Sequence, residues 1–310
     1  MPQFAGMLAR GMSVGARRNG VYGGWTRTGN ARVFVRVPSE LKHLSEHPAS
    51  FNGDTPELDV TPIVLVHGLT SSRTLKPLIR ALGKRRPVYA PDLPGFGMSD
   101  QPIHPLDVRG LADALRRWLF DNELAPAIVV GVSFGSQVAV ELAVRHPAVV
   151  DRLALVGPTF DPKARSASRL ALRWARNARR WSPRLAPTVA HDLIDAGPWR
   201  SLRTLREALG DRVERKLSRV EARTLVVRPE RDHIVPEAWT ERVADLIPDS
   251  ELVVLPNAGH SIRPRTAARL TALLARFLSD GDDDFESEEE LESEARPLQG
   301  FRKAFEPAPR

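Results

Sequence analysis

The chain has 310 residues, 42% of them hydrophobic, which is enough for one large α/β domain with an insertion or for two domains. It contains no cysteine, so disulfide bonds, thiolate metal ligands and a cysteine nucleophile are excluded. The formal net charge is +7, but no nucleic-acid-binding motif accompanies it, aromatic residues are sparse, and no apolar run is long enough to span a membrane.

The first residues of the chain are basic. Glu40 is the first acidic residue, and six arginines precede it. This segment has neither a continuous apolar stretch nor a clear cleavage site, so it does not resemble a secretory signal. We therefore expect a flexible basic extension over residues 1–30 and a cytoplasmic protein.

Apolar segments that indicate strands then alternate with amphipathic segments that indicate helices. Strands are predicted over residues 31–37, 62–66, 88–90, 127–130, 152–156, 224–227 and 252–255. One helix is predicted with Ser72 as N-cap and with Leu75, Leu78, Ile79 and Leu82 on one face. Further helices are predicted over residues 106–119, 136–146, 237–246 and 262–278. This alternation predicts an α/β fold with a mostly parallel sheet covered by helices on both faces. Dinucleotide-binding and P-loop fingerprints are absent from the sequence.

Two segments depart from this alternation. Residues 159–221 contain no clear buried strand and are rich in arginine, tryptophan and proline, which indicates a helical insertion. Ten acidic residues and no basic ones lie between Asp280 and Glu294, which is typical of a solvated, disordered tail. The predicted divisions are the extension (1–30), a first core segment (31–158), the insertion (159–221), a second core segment (222–279) and the tail (280–310).

A candidate nucleophile follows the fourth of the predicted strands. The strand leads into Gly131-Val132-Ser133-Phe134-Gly135, and a helix pattern comes directly after it. Strand, sharp turn and helix are the context in which Gly-x-Ser-x-Gly forms a nucleophile elbow. The pentapeptide alone is a weak signal, so the rest of the chain must supply a base, an acid and an oxyanion hole.

His260 is the best candidate for the base among the eight histidines. It lies in the loop after the last predicted strand, at the carboxyl edge of the sheet, where open α/β sheets bind their ligands. His67 ends an earlier strand next to Gly68, and we interpret it as a structural hydrogen-bonding residue.

The acid that orients the base is predicted to be Asp232. It follows the strand before His260 at the same sheet edge, and the order Ser133, Asp232, His260 is the one this arrangement uses. Glu230 in the same loop and Asp161 after residues 152–156 remain as alternatives. Asp92 lies in a turn rich in proline and glycine, where we expect it to brace loops.

Acyl chemistry also needs donors for the developing oxyanion. The N–H of Phe134 directly follows the nucleophile at a helix N-terminus, where the helix dipole favours negative charge. The second donor is expected after His67-Gly68. Leu69 is the first choice and Thr70 the alternative, in both cases through the backbone.

Taken together, these motifs resemble the α/β-hydrolase superfamily in its serine-nucleophile branch. The resemblance covers residues 61–278 and rests on Val66-His67-Gly68-Leu69, on the segment from Asp92 to Asp100, on the pentapeptide at Ser133, and on Asp232 with Gly259-His260. It implies an eight-stranded core, a helical cap at the insertion, attack by Ser133 with help from Asp232 and His260, and oxyanion donors at Leu69 and Phe134.

The resemblance also carries one exclusion and one departure. Dehalogenases and epoxide hydrolases of this superfamily use an aspartate nucleophile, and Ser133 argues against both. Pro229 stands where relatives often carry glycine in the loop that leads to the acid, and its ring tightens that loop.

These features predict a serine hydrolase of the carboxylesterase type that works through an acyl-enzyme and needs no metal or organic cofactor. Its substrate would be a small-molecule ester or a related carbonyl compound, such as a thioester or a C–C bond beside a ketone. The alternatives are an acyltransferase or cofactor-free perhydrolase with the same triad, and a ligand-binding homologue without catalysis. We expect no nucleic-acid partner, and the sequence does not indicate an oligomeric state.

The insertion is strongly basic. Sixteen lysines and arginines and seven acidic residues lie between Gly157 and Arg223. A tryptophan stripe that includes Trp174 and Trp181 predicts a cap helix packed on the core, with its arginines in water. The other interpretations are a basic amphipathic surface that weakly contacts an anionic membrane, and an arginine lining for an anionic substrate group.

Overall fold

A computed structural model of the chain describes residues 13–14, 20–39, 61–159, 161–164, 166, 168–169, 172–173, 198–279 and 296–297. Its strands are β1 (Ser13–Val14), β2 (Val21–Thr28), β3 (Ala31–Pro38), β4 (Ile63–Val66), β5 (Val88–Pro91), β6 (Ala127–Val132), β7 (Val150–Val156), β8 (Thr224–Pro229), β9 (Ser250–Leu255) and β10 (Arg296–Pro297). Its longer helices are α1 (Lys76–Leu82), α2 (Val108–Asp121), α3 (Gly135–Arg145), α4 (Pro198–Gly210), α5 (Glu237–Leu246) and α6 (Pro264–Leu278).

The strands form one sheet in the order β1-β2-β3-β5-β4-β6-β7-β8-β9-β10. The six central strands, from β5 to β9 in this order, are parallel. Strands β1 to β3 extend one edge in antiparallel fashion, and β10 pairs antiparallel with β9 at the other. Eight of these described strands have four residues or more. The prediction of a mostly parallel sheet of eight strands is therefore confirmed, and the two-residue strands β1 and β10 are added at its two sides.

Each central strand is buried on both faces, as its nearly continuous apolar sequence predicts. In β4, Ile63 and Leu65 join a cluster with side chains of α1 and α6. Val64 and Val66 point the other way and join a cluster with side chains of α2, α3 and α5. Because burial of one such side chain contributes about 1.5–3 kcal/mol, both clusters hold the strands in register. The carboxyl ends of the parallel strands are thereby fixed along one edge.

The structure corrects the predicted amino-terminal boundary. Residues 21–28 were assigned to a flexible extension, but they form β2 and pair along their whole length with β3. The indole of Trp118 in α2 donates a 2.9 Å hydrogen bond to Thr26 of this strand. Two glycines and the polar residues Thr26, Arg27 and Thr28 interrupt the apolar alternation, so the sequence did not indicate this strand. Residues 1–12 and 15–19 lie outside the described residues.

The structure also corrects the prediction for the carboxyl-terminal tail at two residues. Arg296 and Pro297 pair with Val254 and Val253 of β9, although residues 280–310 were predicted to be disordered. The rest of that segment, with its acidic residues, lies outside the described residues.

The start of the first helix differs from the sequence-based expectation. Ser71, and not Ser72, caps a 3-10 turn over Ser72–Leu75 by accepting a hydrogen bond from the Arg73 N–H. Helix α1 follows from Lys76. The Ser72 hydroxyl has another partner, Asp92, to which it donates a 2.6 Å hydrogen bond.

The insertion is described only in part. Helix α4 and two 3-10 turns, Val213–Arg215 and Leu217–Arg219, lead back to the core, and the described residues between 159 and 221 include no strand. The tryptophan stripe with Trp174 and Trp181 lies outside the described residues, so a helical cap stays a prediction. In the part of the chain that the structure describes, no helix is long and apolar enough to cross a membrane.

Candidate active site

Ser133 occupies a sharp turn between β6 and α3. Its φ is 56°, a left-handed conformation that is strained for a residue with a side chain. The flanking glycines are required by close packing. A Cβ on Gly131 would lie 2.7 Å from the carbonyl oxygen of Gly135, and one on Gly135 would lie 2.2 Å from that of Val66. The turn therefore has the geometry predicted for a nucleophile elbow.

The structure brings His260 and Asp232 to this serine. The His260 Nε2 lies 3.0 Å from the Ser133 Oγ, and its Nδ1 lies 2.7 Å from the Asp232 Oδ2. With a carboxylate beside it, Nδ1 carries the proton and donates, which leaves the Nε2 lone pair to accept from the serine hydroxyl. The three residues come from the ends of β6, β8 and β9, three parallel strands of one sheet.

Backbone N–H groups fix the Asp232 carboxylate on the side away from His260. Its Oδ1 accepts hydrogen bonds from the N–H groups of Ile234 at 2.8 Å and Val235 at 3.2 Å, and its side chain is fully buried. The His260 side chain is 14% exposed. The site thus places a fixed, buried negative charge behind an imidazole that solvent or a ligand can reach.

The two alternative acids have other partners. Asp161 accepts from the Lys163 N–H at 2.8 Å and pairs with the Arg173 guanidinium at 2.9 Å. Glu230 accepts from the Asn257 N–H at 2.7 Å. Among these three carboxylates, only Asp232 makes a described hydrogen bond to His260.

His67 orients the loop on the opposite side of the serine. The ring is fully buried, its Nε2 accepts a 2.9 Å hydrogen bond from the Leu93 N–H, and its Nδ1 therefore donates to the Gly68 carbonyl at 2.8 Å. That carbonyl belongs to the same planar peptide as the Leu69 N–H, so fixing one direction fixes the other. His67 is thus the structural hydrogen-bonding residue that the sequence indicated.

Aromatic contacts join the two segments that carry the predicted oxyanion donors. The His67 ring meets Phe96 edge-on with centroids 5.1 Å apart, and Phe96 lies 6.3 Å from the ring of Phe134. Gly68 approaches the nucleophile closely, since a Cβ there would lie 3.4 Å from the Ser133 Cβ. Thr70 was the alternative to Leu69 as a backbone donor. Its side chain has another partner, since its hydroxyl lies 3.4 Å from that of Thr74.

A second buried group lies beneath this loop. Asp92 Oδ1 accepts from the Arg36 guanidinium at 2.8 Å and from the Ser72 N–H at 2.8 Å, and Oδ2 accepts from the Met98 N–H at 3.0 Å. Burial raises the pKa of Asp92, but the charge of Arg36 and these hydrogen bonds outweigh it, so the pKa lies below its usual value. These contacts join β3, the turn after β5 and the loop after β4, so Asp92 braces loops as the sequence indicated.

Sequence reasoning missed Gly157 and Arg173 as neighbours of the site. Gly157 has a φ of 55°, and a Cβ there would lie 3.2 Å from the Asp232 Oδ2. Arg173, in the insertion, also donates to the Ile234 carbonyl at 3.4 Å and so ties the insertion to the loop of the acid. The glycine after the strand was a usable signal, but no local pattern distinguishes Arg173 from the other arginines. In the described ranges, no group of three or more histidine and acidic residues could hold a metal ion.

Comparison with known proteins decides the family. The model of the alpha/beta hydrolase family matches residues 63–273, which include every motif described above. The chain belongs to the α/β-hydrolase family.

Similar proteins in this family have different chemistries. The 2-hydroxymuconate semialdehyde hydrolase of Pseudomonas sp. (strain CF600) is 29% identical over 71% of this chain and 88% of its own. A haloalkane dehalogenase of Mycobacterium marinum is 34% identical over 53% of this chain and 54% of its own. The solved enol-lactonase of Burkholderia xenovorans LB400 superposes with a TM-score of 0.63 at 21% identity, covering 82% of this chain and 99% of that one. By name, one of these proteins is a hydrolase, one a dehalogenase and one a lactonase, so the names do not describe one reaction.

Proposed function

We propose that this α/β-hydrolase family member is a serine hydrolase that cleaves a carboxylic ester or a related carbonyl compound. The observation that carries the proposal is the continuous hydrogen-bonded path from the Ser133 Oγ through His260 to the buried Asp232 carboxylate. A serine hydroxyl is a weak nucleophile until a base takes its proton, and this path supplies that base in the productive tautomer.

The reaction would proceed in two halves. The Ser133 Oγ attacks the substrate carbonyl while the His260 Nε2 takes its proton, and the Asp232 carboxylate stabilises the imidazolium that forms. The backbone N–H groups of Leu69 and Phe134 donate hydrogen bonds to the former carbonyl oxygen, which now carries the negative charge. His260 then gives the proton to the leaving group, and water, activated by the same nitrogen, hydrolyses the acyl-enzyme and restores the serine.

The names of the similar proteins support a carbonyl compound as the substrate, but they do not indicate which carbonyl compound it is. By their names, one acts on a semialdehyde and one on an enol-lactone. An ester or lactone fits the proposed site directly, because the path from Ser133 to Asp232 is that of acyl transfer. Cleavage of a C–C bond beside a ketone remains the alternative substrate chemistry. Dehalogenation is disfavoured, because it needs a carboxylate at the elbow, where this chain has Ser133.

Labelling with a fluorophosphonate probe tests the proposal. The wild-type chain should be labelled on Ser133 and should hydrolyse p-nitrophenyl esters of some chain length. In Ser133→Ala, labelling should vanish and turnover should fall by about a millionfold, with circular dichroism unchanged. A well-folded wild-type protein that takes up no probe would instead support a ligand-binding homologue.

A further inference from the structure

Helix α4 exposes apolar and basic side chains on one face. Trp199 is 72% exposed and Leu202 is 50% exposed, which makes them two of the most exposed large apolar residues described. Arg203 and Arg206 are also exposed. Since residues three, four and seven apart lie on the same side of a helix, these four residues form one stripe, here called the α4 outer face.

The opposite face of α4 is anchored to the core. Thr204 and Ala208 are buried, and the Gln137 amide of α3 donates a 3.0 Å hydrogen bond to the Ala208 carbonyl. Leu205 and Leu209, on one flank of the helix, are half-buried and pack against the cluster on this side of the sheet. The helix therefore cannot turn its tryptophan inward without losing these contacts, and the outer face points away from the core.

The surroundings of this face are basic. Between Pro198 and Arg219 the chain carries seven lysines and arginines against three acidic residues. Two of the three acids have ion-pair partners in this segment. Glu207 lies 3.9 Å from the Arg203 guanidinium, and Asp211 is paired with Lys216, which also binds Glu141 of α3 at 2.6 Å. Arg212, Arg215 and Arg219 are exposed after the end of α4 and extend the positive charge.

We propose that the α4 outer face docks reversibly on an anionic lipid surface. A tryptophan and a leucine flanked by arginines suit the boundary between headgroups and acyl chains, where an indole rests and guanidinium groups meet phosphates. Two apolar side chains without a groove bury too little area for a stable protein interface, which needs on the order of 1,000 Å². The positive charge complements an anionic bilayer.

Helix α2 offers a matched control with the same residue types. Its Phe120 is 57% exposed, and the Arg116 guanidinium lies over that ring at 5.2 Å. Between Val108 and Glu123, however, three arginines are balanced by three acidic residues. Removing Arg116 and Arg117 therefore takes away the same charge as removing Arg203 and Arg206, but from a neutral neighbourhood.

Vesicle co-sedimentation of the full chain tests the proposal and does not depend on turnover. We expect binding to phosphatidylcholine–phosphatidylserine vesicles, weakened by salt, and little binding to pure phosphatidylcholine. The R203Q/R206Q variant should lower the partition coefficient roughly 30-fold, and Trp199→Ala about tenfold. The R116Q/R117Q variant should bind nearly as the wild type does.

Each other outcome overturns the proposal. Equal losses in both arginine pairs would mean that net charge alone attracts the chain to lipid. Unchanged binding in R203Q/R206Q and Trp199→Ala would place the contact elsewhere. Absence of binding to anionic vesicles, with binding to an acidic protein surface instead, would assign the face to a protein partner. Circular dichroism should show that the variants are folded, because all five substituted side chains are exposed.

Discussion

The carboxyl edge of the sheet carries two clusters that are built from similar residues but have different properties. One is the path from Ser133 through His260 to Asp232. The other joins Asp92, Arg36 and Ser72 beside the loop that follows β4. In each cluster a buried aspartate meets a basic partner and a serine.

The clusters differ in whether a basic nitrogen remains accessible to a ligand. Arg36 and Asp92 are 5% and 0% exposed, and both carboxylate oxygens of Asp92 accept hydrogen bonds from the protein. At Asp232 the aspartate is equally enclosed, but the His260 Nε2 meets a single hydroxyl, that of Ser133, and the ring is partly exposed. A saturated cluster can stabilise the fold, whereas a cluster with an accessible basic nitrogen can transfer a proton. The structure thus separates a brace from a candidate reaction centre.

The largest expected effect distinguishes the acids around His260. We expect Asp232→Asn to lower kcat roughly 10,000-fold, because an amide at this position would favour the wrong imidazole tautomer. Asp161→Asn is the matched control and should stay within about tenfold, since it loosens Arg173 and leaves His260 paired. Steady-state kinetics on an ester substrate measures both. Equal losses in the two variants would contradict the assignment of Asp232 as the acid.

The next effect is on stability. Asp92→Ala leaves Arg36 charged, buried and unpaired, so the free energy of unfolding should fall by about 3–5 kcal/mol in urea titrations. The exposed pair of Arg32 with Asp100 provides the control, because its partners are 60% and 34% exposed. Asp100→Ala should change the unfolding midpoint much less. Similar urea unfolding midpoints for Asp92→Ala and Asp100→Ala would mean that the buried pair stabilises the fold no more than the exposed pair does.

A smaller effect on kcat is expected for His67, which lies in the loop between the Asp92 cluster and Ser133. His67→Phe removes the hydrogen bond to the Gly68 carbonyl while filling the space, so the Leu69 N–H should lose its fixed direction. We expect kcat to fall about a hundredfold with KM little changed. Phe96→Leu keeps that hydrogen bond and should cost far less. A rise in KM with unchanged kcat would mean that His67 shapes binding and not the oxyanion hole.

The smallest effect concerns pH. Because the pKa of Asp92 is depressed in the folded state, the unfolded chain takes up a proton first as the pH falls. This contribution to stability is therefore complete above the ordinary aspartate pKa of about 4 and is lost as the pH falls through the depressed value. Urea unfolding from pH 7 downward should show a steeper loss for the wild type than for Asp92→Asn. If the free energy of unfolding falls equally with pH in both proteins, Asp92 does not contribute to the pH dependence of stability.

The sequence by itself was enough to predict the sheet and the meeting of Ser133, Asp232 and His260 at the carboxyl ends of its strands. Apolar strand segments, the glycines around Ser133 and the positions of Asp232 and His260 after strands are local patterns, and parallel strands bring their carboxyl ends together in any such sheet. The strand at residues 21–28 was missed because glycine and polar residues interrupt its alternation.

Only the tertiary structure decided which charged groups meet. Asp161, Glu230 and Asp232 all follow strands at the same edge, and their partners are fixed by loop paths and packing that no local spacing encodes. Arg36 reaches Asp92 from a strand 56 positions away, and Arg173 reaches Asp161 from the insertion. Such pairs depend on side-chain direction and burial, which emerge only when the whole core has packed.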